Sequence, residues 1–182
     1  EVFSLANRFL PAEQHYQVVT LAEQATEIRA SNGIRLHADY SISQYQGKID
    51  LLLVPGGPGA YRNTFPALYN WLRDYAGSKT HGSICTGAFI LGHAGLLDGR
   101  RVTTHWNYTQ QLAKMFPAST VETDKIVVRD NLLLTSGGIT TGIDLALNIV
   151  EEDHGHQLAV SVAKVLLVIM KRQGGQVQFS PL

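Results

Sequence analysis

One cysteine, two tryptophans and two methionines occur in 182 residues, and each scarcity narrows the field. A single thiol cannot close an internal disulfide, so packing rather than a covalent staple must hold the chain. Neither sign of charge is in excess, with 15 Lys and Arg against 15 Asp and Glu. No basic field is left over to neutralise a phosphate backbone, and this segment alone is not expected to grip nucleic acid. A run of about 20 apolar residues is missing, as is a basic-then-apolar leader. The expectation is a reducing, cytoplasmic setting with no membrane partner. Repeats and low-complexity tracts are also absent.

What is present suits one domain, residues 1–182, with a sizeable core. Apolar residues at 2, 3, 5, 6 and 9 predict a helix without a cap, as if the numbering began inside an element. Residues 16–21 read as a strand, and 27–40 as a hairpin around Asn32-Gly33. Residues 49–54 are almost wholly apolar and run into Pro55-Gly56-Gly57-Pro58-Gly59, the pattern of a parallel strand buried on both faces. Helices are predicted over 65–76, 86–94, 106–115, 141–153 and 157–171, a strand over 102–104, and a hairpin over 125–135. Strands alternating with helices predict an α/β fold, a mostly parallel sheet with helices on both faces.

Gly82-Ser83-Ile84-Cys85-Thr86-Gly87 places the lone thiol between a short apolar strand and a helix. A strand that turns abruptly into a helix thrusts the residue at the bend outward, and small neighbours permit the bend. The positive end of the following helix would stabilise negative charge on the sulfur. A lone cysteine is by itself most simply a small core hydrophobe; its flanks make Cys85 a candidate nucleophile. Gly56 and Gly57 follow a buried strand, and their amides could hold an oxyanion or a carboxylate. An ordinary strand-to-helix turn accounts for them equally well. His105 follows the next strand, so it should reach the same sheet edge, as proton acceptor or ligand contact; packing beside Trp106 is the structural alternative.

These pieces, Ile84-Cys85-Thr86-Gly87 with Val102-Thr103-Thr104-His105 placed 20 residues after the cysteine, resemble the ThiJ/PfpI superfamily of the class I glutamine amidotransferase-like, flavodoxin-like fold. The resemblance implies a nucleophile elbow at Cys85 with the Gly-Gly loop nearby. It also implies an acidic partner and a first strand upstream of Glu1. The stretches CTGAFILGHAGLLDGRRVTTHW, TSGGITTGIDLALNIVEEDHG and KRQGGQVQFS resemble the amidase-like N-terminal domain of AraC-type transcriptional regulators, in which a helix-turn-helix domain follows. Thr86 stands where peptidase-like members carry a histidine, which disfavours peptidase and glutaminase chemistry.

The leading expectation is therefore a ligand-sensing, dimer-forming module. A small-molecule effector would sit near Gly56, Gly57, Cys85, Thr86 and His105, and DNA would be reached only through a C-terminal domain absent from this chain. The alternative is a cysteine-dependent lyase similar to isonitrile hydratase, with Cys85 and His105 catalytic and the amides of Gly56 and Gly57 beside Thr86 stabilising the intermediate. Oxidation of Cys85 as a redox signal ranks third. No cofactor and no metal are expected: the cluster Glu151-Glu152-Asp153-His154-Gly155-His156 reads as a solvated charge run ended by a glycine. Asp144 reads as dipole compensation in the first turn of its helix. The apolar helix from Leu158 onward reads either as a homodimer contact or as a helix buried within the monomer.

Overall fold

The computed structural model describes residues 1–24, 27–76, 79–169 and 175–176. The chain opens with α1 (Val2–Ala6) and a 3-10 turn over Asn7–Phe9, and no side chain caps the helix start. The expected strand over 16–21 shrinks to β1 (Leu21–Ala22). Its lost half has a local cause: the Asn7 amide accepts the Tyr16 N–H at 2.7 Å and donates to the Tyr16 carbonyl at 2.9 Å. A side chain thus replaces the ladder. The Tyr16 ring packs on Phe3 and its hydroxyl donates to Asp153 at 2.8 Å, with burial and that carboxylate pushing the phenol pKa up.

The hairpin forms as expected from β2 (Glu27–Arg29) and β3 (Arg35–His37), with Gly33 at φ +90° in the turn. Next, β4 (Tyr40–Ser41) pairs with β1 in parallel. The central sheet follows, with β5 (Leu51–Val54), β6 (Thr80–Ile84), β9 (Val127–Asp130) and β10 (Leu133–Ser136) in the spatial order β5-β6-β10-β9. The first three are mutually parallel, and β9 closes the edge as the antiparallel arm of the predicted hairpin. At the opposite edge β5 has Leu51, Leu52 and Leu53 half-buried, less enclosed than its sequence predicted.

Alternation along β10 sets the two layers. Leu133 faces a core filled by Leu72 of α3 (Pro66–Ala76), Phe89 and Leu91 of α4 (Gly87–His93) and Leu112 of α5 (Thr109–Met115), with Ala60 of α2 (Gly59–Arg62) at its margin. Leu134 faces the other way, onto Leu145 and Ile149 of α6 (Ile139–His154). Each fully buried large side chain contributes about 1.5–3 kcal/mol. Outside α6 lies α7 (His156–Leu166), packed through Ala159, Val162 and Ala163 against α6 and α1. It ends sooner than predicted, at a left-handed Leu167, and residues 170–171 of the predicted helix fall outside the described residues. Beyond the packed stripe, Val165, Leu167 and Ile169 are exposed.

Two further differences bear on function. Residues 102–104 are expected as a strand, but β7 (Arg101–Val102) stops early and, among the described residues, pairs only with β8 (Thr120–Val121). Thr103 and Thr104 make side-chain bonds instead, described below. Because α6 begins at Ile139, Asp144 stands in its second turn and is buried, so compensating the first-turn dipole is not its role. The acidic run at the end of α6 is taken up by ion pairs from Glu152 to Arg129 and from Glu151 to His156, and Gly155 at φ +87° ends the helix. Among the described residues no helix is long and apolar enough to cross a membrane.

Candidate functional site

Four segments leave the carboxyl ends of strands at one rim of the molecule. They are Pro55-Gly56-Gly57 after β5, Cys85-Thr86 after β6, Thr103-Thr104-His105 after β7 and Gly137-Gly138 after β10. Strand ends in an α/β sheet gather loops there, which is why ligands bind at such rims.

Cys85 occupies the bend between β6 and α4 with φ +58°, a left-handed conformation that non-glycine residues seldom take. Bonds on both sides fix it. Its N–H donates to the Ser136 carbonyl at 2.8 Å, and its own carbonyl accepts the Thr104 hydroxyl at 2.8 Å. The glycine loop presses close: a Cβ on Gly56 would lie 2.8 Å from the Ile84 oxygen and 2.9 Å from the Cys85 Cβ. The cysteine side chain is half-buried, so it is not sealed in the aliphatic core. The tight bend expected from the sequence is thus present as geometry, and nucleophilic chemistry is a further claim.

Thr86 ties the bend to the loop. Its hydroxyl accepts the Gly57 N–H at 2.9 Å and donates to the Gly57 carbonyl at 3.0 Å. The Gly57 amide, expected to lie open for an anion, is already engaged, and a ligand using it would have to displace a hydroxyl.

His105 sits at the same rim, one residue beyond the Thr104 hydroxyl that holds the Cys85 carbonyl. Its Nδ1 accepts the Asn107 N–H at 3.3 Å. A backbone N–H can only donate, so in the neutral ring the proton is on Nε2. Burial holds the His105 pKa below its ordinary 6.5, keeping that neutral form at pH 7. The ring is therefore built to donate from Nε2; to take a proton from the thiol it would first have to give up Asn107. Gly138 leaves room beside it, a Cβ there falling 3.6 Å from His105 Cδ2.

Two tyrosines that the sequence does not mark also stand at the rim. The Tyr61 and Tyr108 hydroxyls are 2.9 Å apart and their rings 4.7 Å. Tyr108 also meets the His105 ring edge-on at 5.9 Å and lies near Cys85. The Tyr108 pKa is raised, first by the bond to Tyr61 and then by desolvation. One hydrogen of the pair is used between them, leaving a second for an acceptor. Spacing held the only clue: Tyr108 lies one turn after His105. The structure also has a cavity of about 200 Å³ lined by His81, Asp98, Arg100 and Asn131 among others. It lies at the amino ends of β6 and β10, and no residue around Cys85 lines it.

A pH dependence follows. His105 is neutral when folded and titrates near 6.5 when unfolded, so as pH falls through 6.5 the unfolded state takes up the proton first. Stability contributed by the neutral ring is present above that pH and lost below it, down to the folded pKa. Urea midpoints measured at about pH 7.5 and 5.5 should fall less in His105→Gln than in the parent. An equal fall in both proteins would assign the loss to other groups.

Residues 1–152 match the DJ-1/PfpI family. The chain belongs to that family. Over 97% of its length it is 37% identical to the HTH-type transcriptional regulator CdhR of Pseudomonas aeruginosa, of which it covers 52%. It is 34% identical, over 75% of its length, to isonitrile hydratase of Pseudomonas putida, covering 59% of that protein. Among solved structures, an AraC family transcriptional regulator from Pseudomonas putida superposes with a TM-score of 0.78 at 25% identity, covering 91% of this chain and 88% of the other. The DJ-1/PfpI chain thus spans about half the length of the curated regulator it matches.

Proposed function

We propose that this DJ-1/PfpI domain is the effector-sensing, dimer-forming part of a cytoplasmic AraC-type transcriptional regulator, whose DNA contacts are made by a helix-turn-helix region of the full-length protein. The observation that carries the reading is the state of the polar groups around Cys85. His105 holds its proton on the donor nitrogen and its lone pair on Asn107, while Thr86 and Gly57 are bonded to each other. Such a rim recognises an acceptor-bearing small molecule through His105 Nε2–H and the Tyr61–Tyr108 pair, with Gly56, Gly57, Cys85 and Thr86 shaping the floor. An effector must bind two arrangements of the protein unequally to change DNA affinity. The exposed apolar stretch just after α7, with Leu167 at 92% and Ile169 at 75%, is the proposed dimer face.

Titrating the full-length protein with small acceptor-bearing metabolites, following tryptophan fluorescence and operator affinity together, tests this. Binding that shifts operator affinity, and is weakened in His105→Ala, is the expected result; binding with no change in operator affinity would refute it. Similarity to isonitrile hydratase supports a second reading, addition of water to R–NC to give R–NH–CHO. Formamide released by the parent and not by Cys85→Ala would establish that reading instead.

A further inference from the structure

Gln176, which closes the Arg-Gln-Gly-Gly-Gln run of the sequence, reaches the rim from far along the chain. Gln176 is 4% exposed although it stands far along the chain from every group it touches. Its Nε2 lies 2.7 Å from the Lys125 carbonyl, 3.0 Å from the Thr104 carbonyl and 3.1 Å from the Thr103 hydroxyl, and its backbone N–H donates to the Asp124 carbonyl at 2.8 Å. The amide face rests on Gly137, where a Cβ would come within 2.5 Å of Gln176 Cδ. Glycine is thus required at 137 by a residue 39 positions later, counting 176 − 137.

Three of these partners, Thr104, Thr103 and Gly137, lead into the rim. The Thr104 carbonyl belongs to the peptide bond that begins His105, and the Thr104 hydroxyl holds the Cys85 carbonyl. Gly137 precedes Gly138, against which His105 packs, and follows Ser136, whose carbonyl holds the Cys85 N–H. Thr103 in turn donates its N–H to the Thr135 hydroxyl at 2.8 Å. One buried amide therefore bridges the two segments that flank Cys85 and His105.

We propose that Gln176 is a latch that couples the state of the Cys85–His105 rim to the course of the chain beyond residue 176. Displacement of Thr104 or Gly137 on occupancy of the rim changes the fit of the amide and biases whether residue 176 stays seated. The inference rests on the sensing role proposed above, since a coupling of this kind matters only where something downstream responds. Linkage makes it reciprocal: releasing Gln176 must alter the rim, and altering the rim must release or tighten Gln176.

Hydrogen exchange on the full-length protein tests both directions. Gln176→Glu sets a carboxylate oxygen against the Thr104 and Lys125 carbonyls, and Gly137→Ala evicts the same side chain without touching it. In each, exchange in peptides over 101–107 and 122–127 should accelerate about tenfold, the loss of one or two buried hydrogen bonds, while a core peptide over 145–150 stays unchanged. A uniform acceleration, core included, would mean general destabilisation and overturn the latch. In the reverse direction, carbamidomethylation of Cys85 in the parent by iodoacetamide, followed by mass spectrometry of its peptide, should change exchange in peptides spanning 175–176. No change there, with Cys85 fully modified, would overturn the proposal whatever the variants do. The sensing role is judged separately by operator affinity: effector-insensitive DNA binding refutes that role, whereas intact effector response in Gln176→Glu refutes only the latch.

Discussion

Gly87→Ala should lower stability by more than about 4 kcal/mol, a loss at the extreme of single substitutions. Intrinsic preference points the other way, because alanine in a helix is favoured over glycine by about 1 kcal/mol. Contact decides. A Cβ at this position would lie 2.2 Å from the Val54 carbonyl oxygen and 3.0 Å from that of Pro55, and both are backbone atoms with no rotamer to turn aside. Val54 is in register with Ser83 in the β5–β6 ladder, so moving it pulls on the pairing that leads to Cys85. For a chain of this size about 2–4 °C of melting temperature accompanies each kcal/mol, which predicts a fall of roughly 8–16 °C by circular dichroism. Gly59→Ala is the control, since its Cβ would meet only the Asn63 amide at 3.5 Å, and it should melt within about 2 °C of the parent. Comparable melting of Gly87→Ala and the parent would mean that α4 can slide away from β5 and that the bend at Cys85 is not tightly held.

The same contact explains why the bend was readable from the sequence. Glycines at 56, 82 and 87 are a local signal of backbone brought against backbone, and the apolar run into Pro55 marked the strand that supplies the other side. Cys85, Gly56, Gly57, Thr86 and His105 were placed at one rim by the rule that loops after parallel strands share an edge, which needs only strand order. Elements failed where a distant side chain replaced the ladder. Tyr16 looked like a strand residue because nothing nearby reveals that Asn7 takes both its backbone groups. Thr103 and Thr104 looked like strand for the same reason. Their β-branched side chains favour a strand, yet Thr103 donates its hydroxyl to carbonyls of the 122–125 segment and Thr104 donates to Cys85.

The site's finer chemistry was illegible for a different reason, that it depends on where hydrogens and side chains point. Spacing puts a histidine at the rim and leaves its role open between base, ligand contact and packing beside Trp106. Only the Asn107 N–H on Nδ1 assigns the proton to Nε2. Spacing likewise made the Gly57 amide a candidate anion donor, and only the Thr86 hydroxyl reveals that it is engaged. Gln176 falls in the stretch KRQGGQVQFS, which carries a family resemblance and no site assignment, and its burial against Gly137 joins residues that no local pattern connects.

Phe89→Ala is the second substitution expected to act strongly, at about 3–5 kcal/mol for an aromatic ring removed from a sealed core. The ring is fully buried in α4 and contacts Tyr61 at 5.9 Å, Tyr108 at 6.4 Å and Phe116 at 6.4 Å. It therefore serves two structures at once, filling the core between the sheet and α5 and backing the tyrosine pair that flanks Cys85. Phe89→Leu separates the two roles. It restores most of the volume and should cost less than about 1.5 kcal/mol in folding by urea titration, but it removes the ring contacts, edge-to-face with Tyr108 and tilted with Tyr61, worth about 0.5–1.5 kcal/mol each, that fix the tyrosines in orientation. The leucine variant should accordingly fold nearly as well as the parent while binding a rim ligand more weakly. If it bound equally well, the Tyr61–Tyr108 hydroxyls would have to be held by their mutual bond alone, and the core beneath them would matter to stability and not to recognition.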